Sequence, residues 1–399
     1  MGESADRVTE ELRALGAVAH RYAGTEGERE MLHQVRSRLP EGARTRIEGF
    51  VAFAFPWAIH AGHAAALVAG GLVGLYRPLL AAVICTVATA SLIAEGTGRF
   101  SVLRRMLPKS ASYNLVWRRE VDDALGSLVV TAPLDAPRYV PLRPRWLRRP
   151  LQLLVVAASV LTFLIWLRAL AEPWGRPSLS MYVVSLAVLA GSMLVGAVAH
   201  RWNPSPVDDA SAPAALLELV RRWQTDPPPG LDLWVVFTGC GYAYQNGMHA
   251  FLAMRGARLR QPALVVALSQ PGRPPLRAVV SEGTLVPHEH RPTGPALVER
   301  LRWAGVDLPS TDTATVTDAR AATQWGSRAV ALRGGGGIAT GADTVRAVEV
   351  AESIAWLFAD DLRRVQLNPP HRQELVPEHT EEASPERLNR IHVSVPGRR

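Results

Sequence analysis

Four uncharged apolar runs, set out as two closely spaced pairs, constrain this chain more than any other feature. Phe50 to Tyr76 and Pro78 to Ala94 are separated by Arg77 alone. Pro150 to Leu167 and Pro177 to Ala199 are joined by a short link carrying Arg168, Glu172 and Arg176. A helix needs about 20 apolar residues to cross a bilayer, so each run reads as a transmembrane α-helix and each pair as a hairpin. Two hairpins return the chain to its starting side. Residues 1–49, 96–149 and 200–365 can then fold as one discontinuous domain, with transmembrane hairpins at 50–95 and 150–199 and a flexible polar tail at 366–399.

Charge gives the orientation. The domain-side flanks hold Arg99, Arg104, Arg105, Lys109, Arg143, Arg145, Arg148, Arg149 and Arg201, against Arg77, Arg168 and Arg176 in the far-side turns. The positive-inside rule then predicts a multi-pass protein of the plasma (inner) membrane with its α/β domain in the cytoplasm. The net charge of +8 comes almost wholly from arginine, Lys109 being the only lysine. No basic stripe interleaves with aromatics, so the expected partner is the lipid bilayer and not nucleic acid. Cys85 and Cys240 make no disulfide framework. Met1 to Arg13 lacks the basic start and apolar core of a cleaved signal. His60 and His63, at i and i+3, share a helix face. Two ligands do not make a metal site, so packing against neighbouring helices is expected over a proton relay.

Outside the spans, strand-like runs fall at Thr45–Glu48, Tyr113–Trp117, Ser127–Ala132, Leu231–Thr238, Ala263–Leu268, Leu276–Val280 and Ala329–Leu332. Helical spacing marks Val8–Leu15, Glu26–Leu39, Ala212–Trp223, Gly247–Met254, Pro295–Ala304 and Thr344–Leu362. Alternating strands and helices predict an α/β fold, a mixed, mostly parallel sheet flanked by helices, to which the four transmembrane α-helices are added. Gly334 to Gly337 lacks the Lys-Ser/Thr of a phosphate loop.

Several segments, in order, resemble the zinc-dependent exopeptidases of metallopeptidase family 28, relatives of the glutaminyl cyclases and the transferrin receptor ectodomain. They are Leu12 to Gly16, Arg21 to Arg29, Leu128 to Asp135, Val207 to Ser211 with Ala214 to Leu219, Val235 to Gly239, Gly247 to Phe251, Ser281 to Gly283, and Ala342 to Thr344. The resemblance implies a two-zinc site built from a His-x-Asp pair, a bridging Asp, a Glu-Glu pair, a later Asp and a final His. Carried over, Asp135 matches the orienting Asp and Asp208 the bridging carboxylate. The other ligand positions fall on Pro133, Gly241, Tyr242, Ser269 and Ala339. A catalytic zinc takes about three protein ligands, and one side chain of that set survives. His288 and His290 read as a solvated loop pair.

The resulting expectation is a catalytically inactive, membrane-anchored relative without a cofactor, acting by binding a peptide or membrane-protein partner. Its cleft would be membrane-proximal and lined by Asp135, Asp208, Asp209, Tyr242 and Tyr244. The alternatives are an active zinc aminopeptidase with a rearranged metal site and, on the strength of His60 and His63, a small transporter.

Overall fold

The computed structural model describes residues 2–54, 56–74, 76–97, 104, 109–136, 150–171, 210–283, 287–290, 292–313 and 315–367. Its helices are α1 (Gly2–Gly16), α2 (Glu26–Ser37), α3 (Pro56–Val73), α4 (Pro78–Thr97), α5 (Pro150–Ala171), α6 (Ser211–Thr225), α7 (Asn246–Arg255), α8 (Thr293–Trp303), α9 (Asp318–Gln324) and α10 (Gly341–Leu367). The strands are β1 (Thr45–Ala52), β2 (Ser110–Arg119), β3 (Gly126–Pro133), β4 (Leu231–Thr238), β5 (Ala263–Ser269), β6 (Arg277–Glu282), β7 (His288–Glu289), β8 (Ser310–Thr313) and β9 (Arg328–Arg333).

All nine strands join one mixed sheet in the order β1-β2-β4-β3-β5-β9-β6-β7, with β8 on β6. The central strands β4, β3, β5 and β9 are parallel, and antiparallel pairs flank them on both sides. Every residue of β4 and β5 is buried. Leu231, Leu233, Val235 and Phe237 of β4 enter one core, while Trp234 and Val236 enter the other. A sheet covered on both faces demands such continuous apolar strands. Residues of α1, α2, α6, α8 and α10 fill the first core, and those of α7 and α9 fill the second. Among the helices, α6 carries the fully buried Trp223; truncating it to alanine would cost about 3–5 kcal/mol.

The apolar helices attach at the margin of this sheet. Ala52 of β1 and Ser110 of β2 are cross-strand partners, so the chain leaves for α3 and rejoins after α4 at one place. Helix α4 packs against both α3 and α5 through Leu67, Cys85, Leu92, Ala158 and Ile165. Hydroxyl and ring groups meet between the helices: Thr89 and Thr162 at 2.9 Å, His63 Nε2 and Ser91 at 2.9 Å, and, on the exposed side, Trp166 Nε1 donating to Thr86 at 2.8 Å. His63 Nδ1 also lies 2.8 Å from the Ile59 carbonyl. His63 is therefore engaged in packing between helices; His60 lies one turn earlier on α3.

Two expectations change. Phe50 to Ala52 belong to β1, because they continue its in–out alternation and pair with Ser110 to Ser112; the helix starts only at Pro56. Among the described residues one segment, Pro78–Glu95, is long and apolar enough to cross a membrane, with mean hydropathy 1.8; Gly62–Val73 and Ala158–Leu167 are shorter. The fourth expected span, 177–199, and the tail from 368 onward lie outside the described residues. β7, β8 and α9 carry no run of large apolar residues, which is why the sequence does not announce them.

Candidate functional site

Strands β4, β3 and β5 end side by side at Thr238, Pro133 and Ser269, with β4 and β5 on opposite sides of β3. Ligand sites of open α/β sheets gather beyond the carboxyl ends of strands at such a reversal. Here the loop from β4 to α7, residues 239–245, crosses that position. Side-chain oxygens take four of its consecutive N–H groups. Gly239 donates to Asn114 Oδ1 (3.0 Å), Cys240 to Glu28 Oε1 (2.5 Å), Gly241 to Asp135 Oδ1 (2.7 Å) and Tyr242 to Asp135 Oδ2 (3.0 Å). These bonds hold a backbone that includes three non-glycine residues at positive φ: Cys240 (49°), Tyr244 (59°) and Gln245 (51°). Each such conformation costs on the order of 1–3 kcal/mol unless its surroundings enforce it.

Asp135 is 3% exposed, lying just past the end of β3. Burial, and then the Glu28 carboxylate, hold its carboxyl well above the usual range, against the two loop N–H groups. Glu28 itself is raised by burial and also accepts from Gly24 N (2.9 Å) and the Ser112 hydroxyl (2.9 Å). Thr25-x-x-Glu28 has the spacing of a capping box, but the Glu28 carboxylate passes over the N-cap amide, accepting from Gly24 N with one oxygen and from Cys240 N of the loop with the other. Sequence reasoning did not single out Glu28 as a site residue. Its signal was legible: an acid in the apolar stripe formed by Met31, Leu32 and Val35.

Pro133 and Gly241 offer no side-chain donor, and they close on each other: a Cβ on Gly241 would lie 2.6 Å from Pro133 Cβ and 3.1 Å from Asp135 Oδ1. Tyr242 and Ser269 hold their hydroxyls 3.4 Å apart, and neutral hydroxyls are poor zinc ligands. Ala339 lies half-buried on the loop before α10. No group of three or more His, Cys, Asp or Glu is placed to hold a metal ion among the described residues. Pro133, Gly241, Tyr242, Ser269 and Asp318 line a cavity of about 10 Å³. That is room for about one water.

The expected cleft lining is thus redistributed. Tyr242 lines the small cavity, Asp135 is turned into the loop, and Tyr244 is half-buried against Arg104, while Asp208 and Asp209 lie outside the described residues. Two buried acids join the picture from the far side. Asp318, at the start of α9, accepts from the Thr238 hydroxyl (2.9 Å), and burial pushes it up to about 6. Glu282 accepts from Thr317 N (2.8 Å) and stands 3.2 Å from His290 Nε2. The solvated-loop expectation for His290 is overturned: β7 pairs with β6 and carries it inside, to 1% exposure. His288, partly buried, bonds Thr323 Oγ1 at 2.7 Å.

Tyr244 connects the loop to the apolar helices. The Arg104 guanidinium stacks over its ring at 4.2 Å and reaches Glu95, near the end of α4, at 2.5 Å. Phe53, which precedes α3, lies 6.4 Å from the same ring, and its carbonyl accepts from Asn246 Nδ2 at 3.0 Å. Burial raises the Tyr244 phenol further above its ordinary value. Nearby His249 is driven down to about 4 by burial and by Arg104 and Arg320, so it accepts the Trp325 indole N–H as a neutral ring (3.0 Å).

No protein-family model and no curated protein matches the chain. Among solved structures it is similar to glutaminyl cyclase from Fimbriiglobus ruber, at 14% identity over 90% of this chain and 96% of that one, with a TM-score of 0.49. It is likewise similar to glutaminyl cyclase from Tannerella forsythia (12% identity, 88% and 98% covered, TM-score 0.48). A third is a zinc-dependent exopeptidase from Parabacteroides distasonis (12% identity, 90% and 97% covered, TM-score 0.46).

Proposed function

We propose that this chain is a membrane-anchored, peptidase-like protein that has given up hydrolysis and works by binding a partner, either a peptide or another membrane protein. One observation carries the reading. Two positions that would hold and activate a metal are a proline and a glycine in mutual contact, so neither donor nor space for one exists there. The carboxylate beside them already accepts two backbone N–H groups. A cavity of about 10 Å³ admits no peptide, so the partner engages the outer surface of the domain or its membrane helices.

Membrane anchoring is supported by the apolar outer faces of α4 and α5. Leu79, Leu80, Val83 and Val87 of α4, with Val160, Phe163 and Leu170 of α5, face outward. Gly70, Cys85, Thr89 and Thr162 meet inside. Water disfavours exposed apolar faces, whereas helices in lipid place small and hydroxyl residues between them. The arginine-rich flanks favour a cytoplasmic domain at the inner membrane.

Metal content and hydrolysis together test this proposal. The full chain, purified in detergent, is expected to contain far less than one zinc per molecule and to leave aminoacyl-nitroanilides intact. Stoichiometric zinc with chelator-sensitive hydrolysis would establish the active exopeptidase instead.

A further inference from the structure

A groove of about 640 Å³ lies between the end of α8 and the outer face of α10. Its floor is apolar, with Val306, Trp356 and Leu357, and Trp356 remains 43% exposed. Its rim carries Glu349, Glu352 and Asp360. Glu352 is engaged by Arg222 at 2.8 Å, and Asp360 by Arg364 one turn on, in an exposed pair of the kind that contributes little. Glu349 has no ion-pair partner among the described residues. An exposed tryptophan over an acidic rim suits a segment with one apolar edge and several cations.

The chain supplies such a segment next to the groove. Helix α10 ends at Leu367, and residues 368–399 follow it directly. Their acidic residues, Glu374, Glu378, Glu381, Glu382 and Glu386, all precede Arg387. From there to the end the sequence has Arg387, Arg390, Arg398 and Arg399 and no acid, and Ile391, Val393 and Val395 alternate with His392 and Ser394. Alternation of this kind gives an extended chain one apolar edge. Length is sufficient: Glu349 sits about 27 Å back along the helix from Leu367 at 1.5 Å per residue. The connecting residues 368–386 span roughly 60 Å when extended.

We propose that residues 387–399 fold back into this groove of their own chain, setting Ile391, Val393 and Val395 on Trp356 and Leu357 and the arginines against Glu349 and Asp360. Tethering places the segment at an effective concentration of about a millimolar, so modest contacts keep the groove covered.

Disulfide trapping in the full chain tests it. Ser353→Cys on the groove is combined with Val393→Cys; the native cysteines are both buried and do not compete. Under mild oxidation an intramolecular disulfide should form about tenfold faster than with Glu30→Cys, an exposed position on α2, in place of Ser353→Cys. Glu349→Arg should slow the trapping, and adding Arg390→Glu should restore it. Should Ser353→Cys disturb folding, Glu349→Cys serves as the groove position. Equal rates at the groove and α2 positions would overturn the proposal. So would disulfides that join two chains, since the occupant would then be a second copy.

Discussion

Asp318 is buried and His249 partly buried, one an acid raised to about 6 and the other a base lowered to about 4, and burial is the main cause for each. Their effects on stability run in opposite directions. The folded state binds the Asp318 proton more tightly than the unfolded chain does, so that contribution is full below about pH 4 and is lost as pH rises to about 6. The folded state releases the His249 proton more readily, so that contribution grows as pH rises from about 4 to 6.5. Asp318→Asn keeps a carbonyl oxygen for the Thr238 hydroxyl and cannot ionise. Relative to the native chain, this variant should therefore gain about 2–3 kcal/mol between pH 4 and 6.5. Denaturant unfolding across that range measures the difference, and a constant offset would count against a raised acid at this position.

At the scale of elements, the junction between the apolar helices and the β4–α7 loop is held by one cation. Arg104, with its side chain 18% exposed, is the partner of the nearly inaccessible Glu95 and also covers Tyr244. Arg104→Met would leave a carboxylate in the interior without its counter-charge, at a cost of about 3–5 kcal/mol. Replacing both, Arg104→Met with Glu95→Leu, should recover most of that loss, since the uncompensated charge disappears. A thermal-unfolding double-mutant cycle decides the matter. In the single variant, amide exchange over residues 239–246 should also accelerate, because the loop loses its grip on α4. Additive losses in the cycle, or unchanged exchange, would show that Arg104 and Glu95 act separately.

For the whole molecule, the decisive property is the outer surface of α4 and α5. Val87 is exposed on α4 with no described neighbour covering it. In a bilayer, Val87→Arg places a charge near the middle of the Pro78–Glu95 segment and should cost about 2–3 kcal/mol of insertion, read as protein lost from the carbonate-resistant membrane fraction. On a surface facing water the same change would raise the yield of soluble protein, so the two settings give opposite results.

The sequence determined the local elements wherever one signal dominated. β4 has the same bounds, Leu231–Thr238, in the apolar run and in the fold, and α2 starts at Glu26 as its spacing indicates. It also disclosed which positions lack donors, since a proline or glycine has none in any fold. What it could not disclose depends on partners distant in the chain. Asp135 is legible as an acid after a strand, but its bonding to Gly241 and Tyr242 requires β3 and β4 to end together. His290, flanked by polar residues, is interior only because β7 pairs with β6. The grip of Arg104 on Tyr244 joins residues well over a hundred positions apart. Hydropathy and propensity are properties of neighbours along the chain, whereas burial, charge pairing and the closing of a cleft are set by which segments pack together.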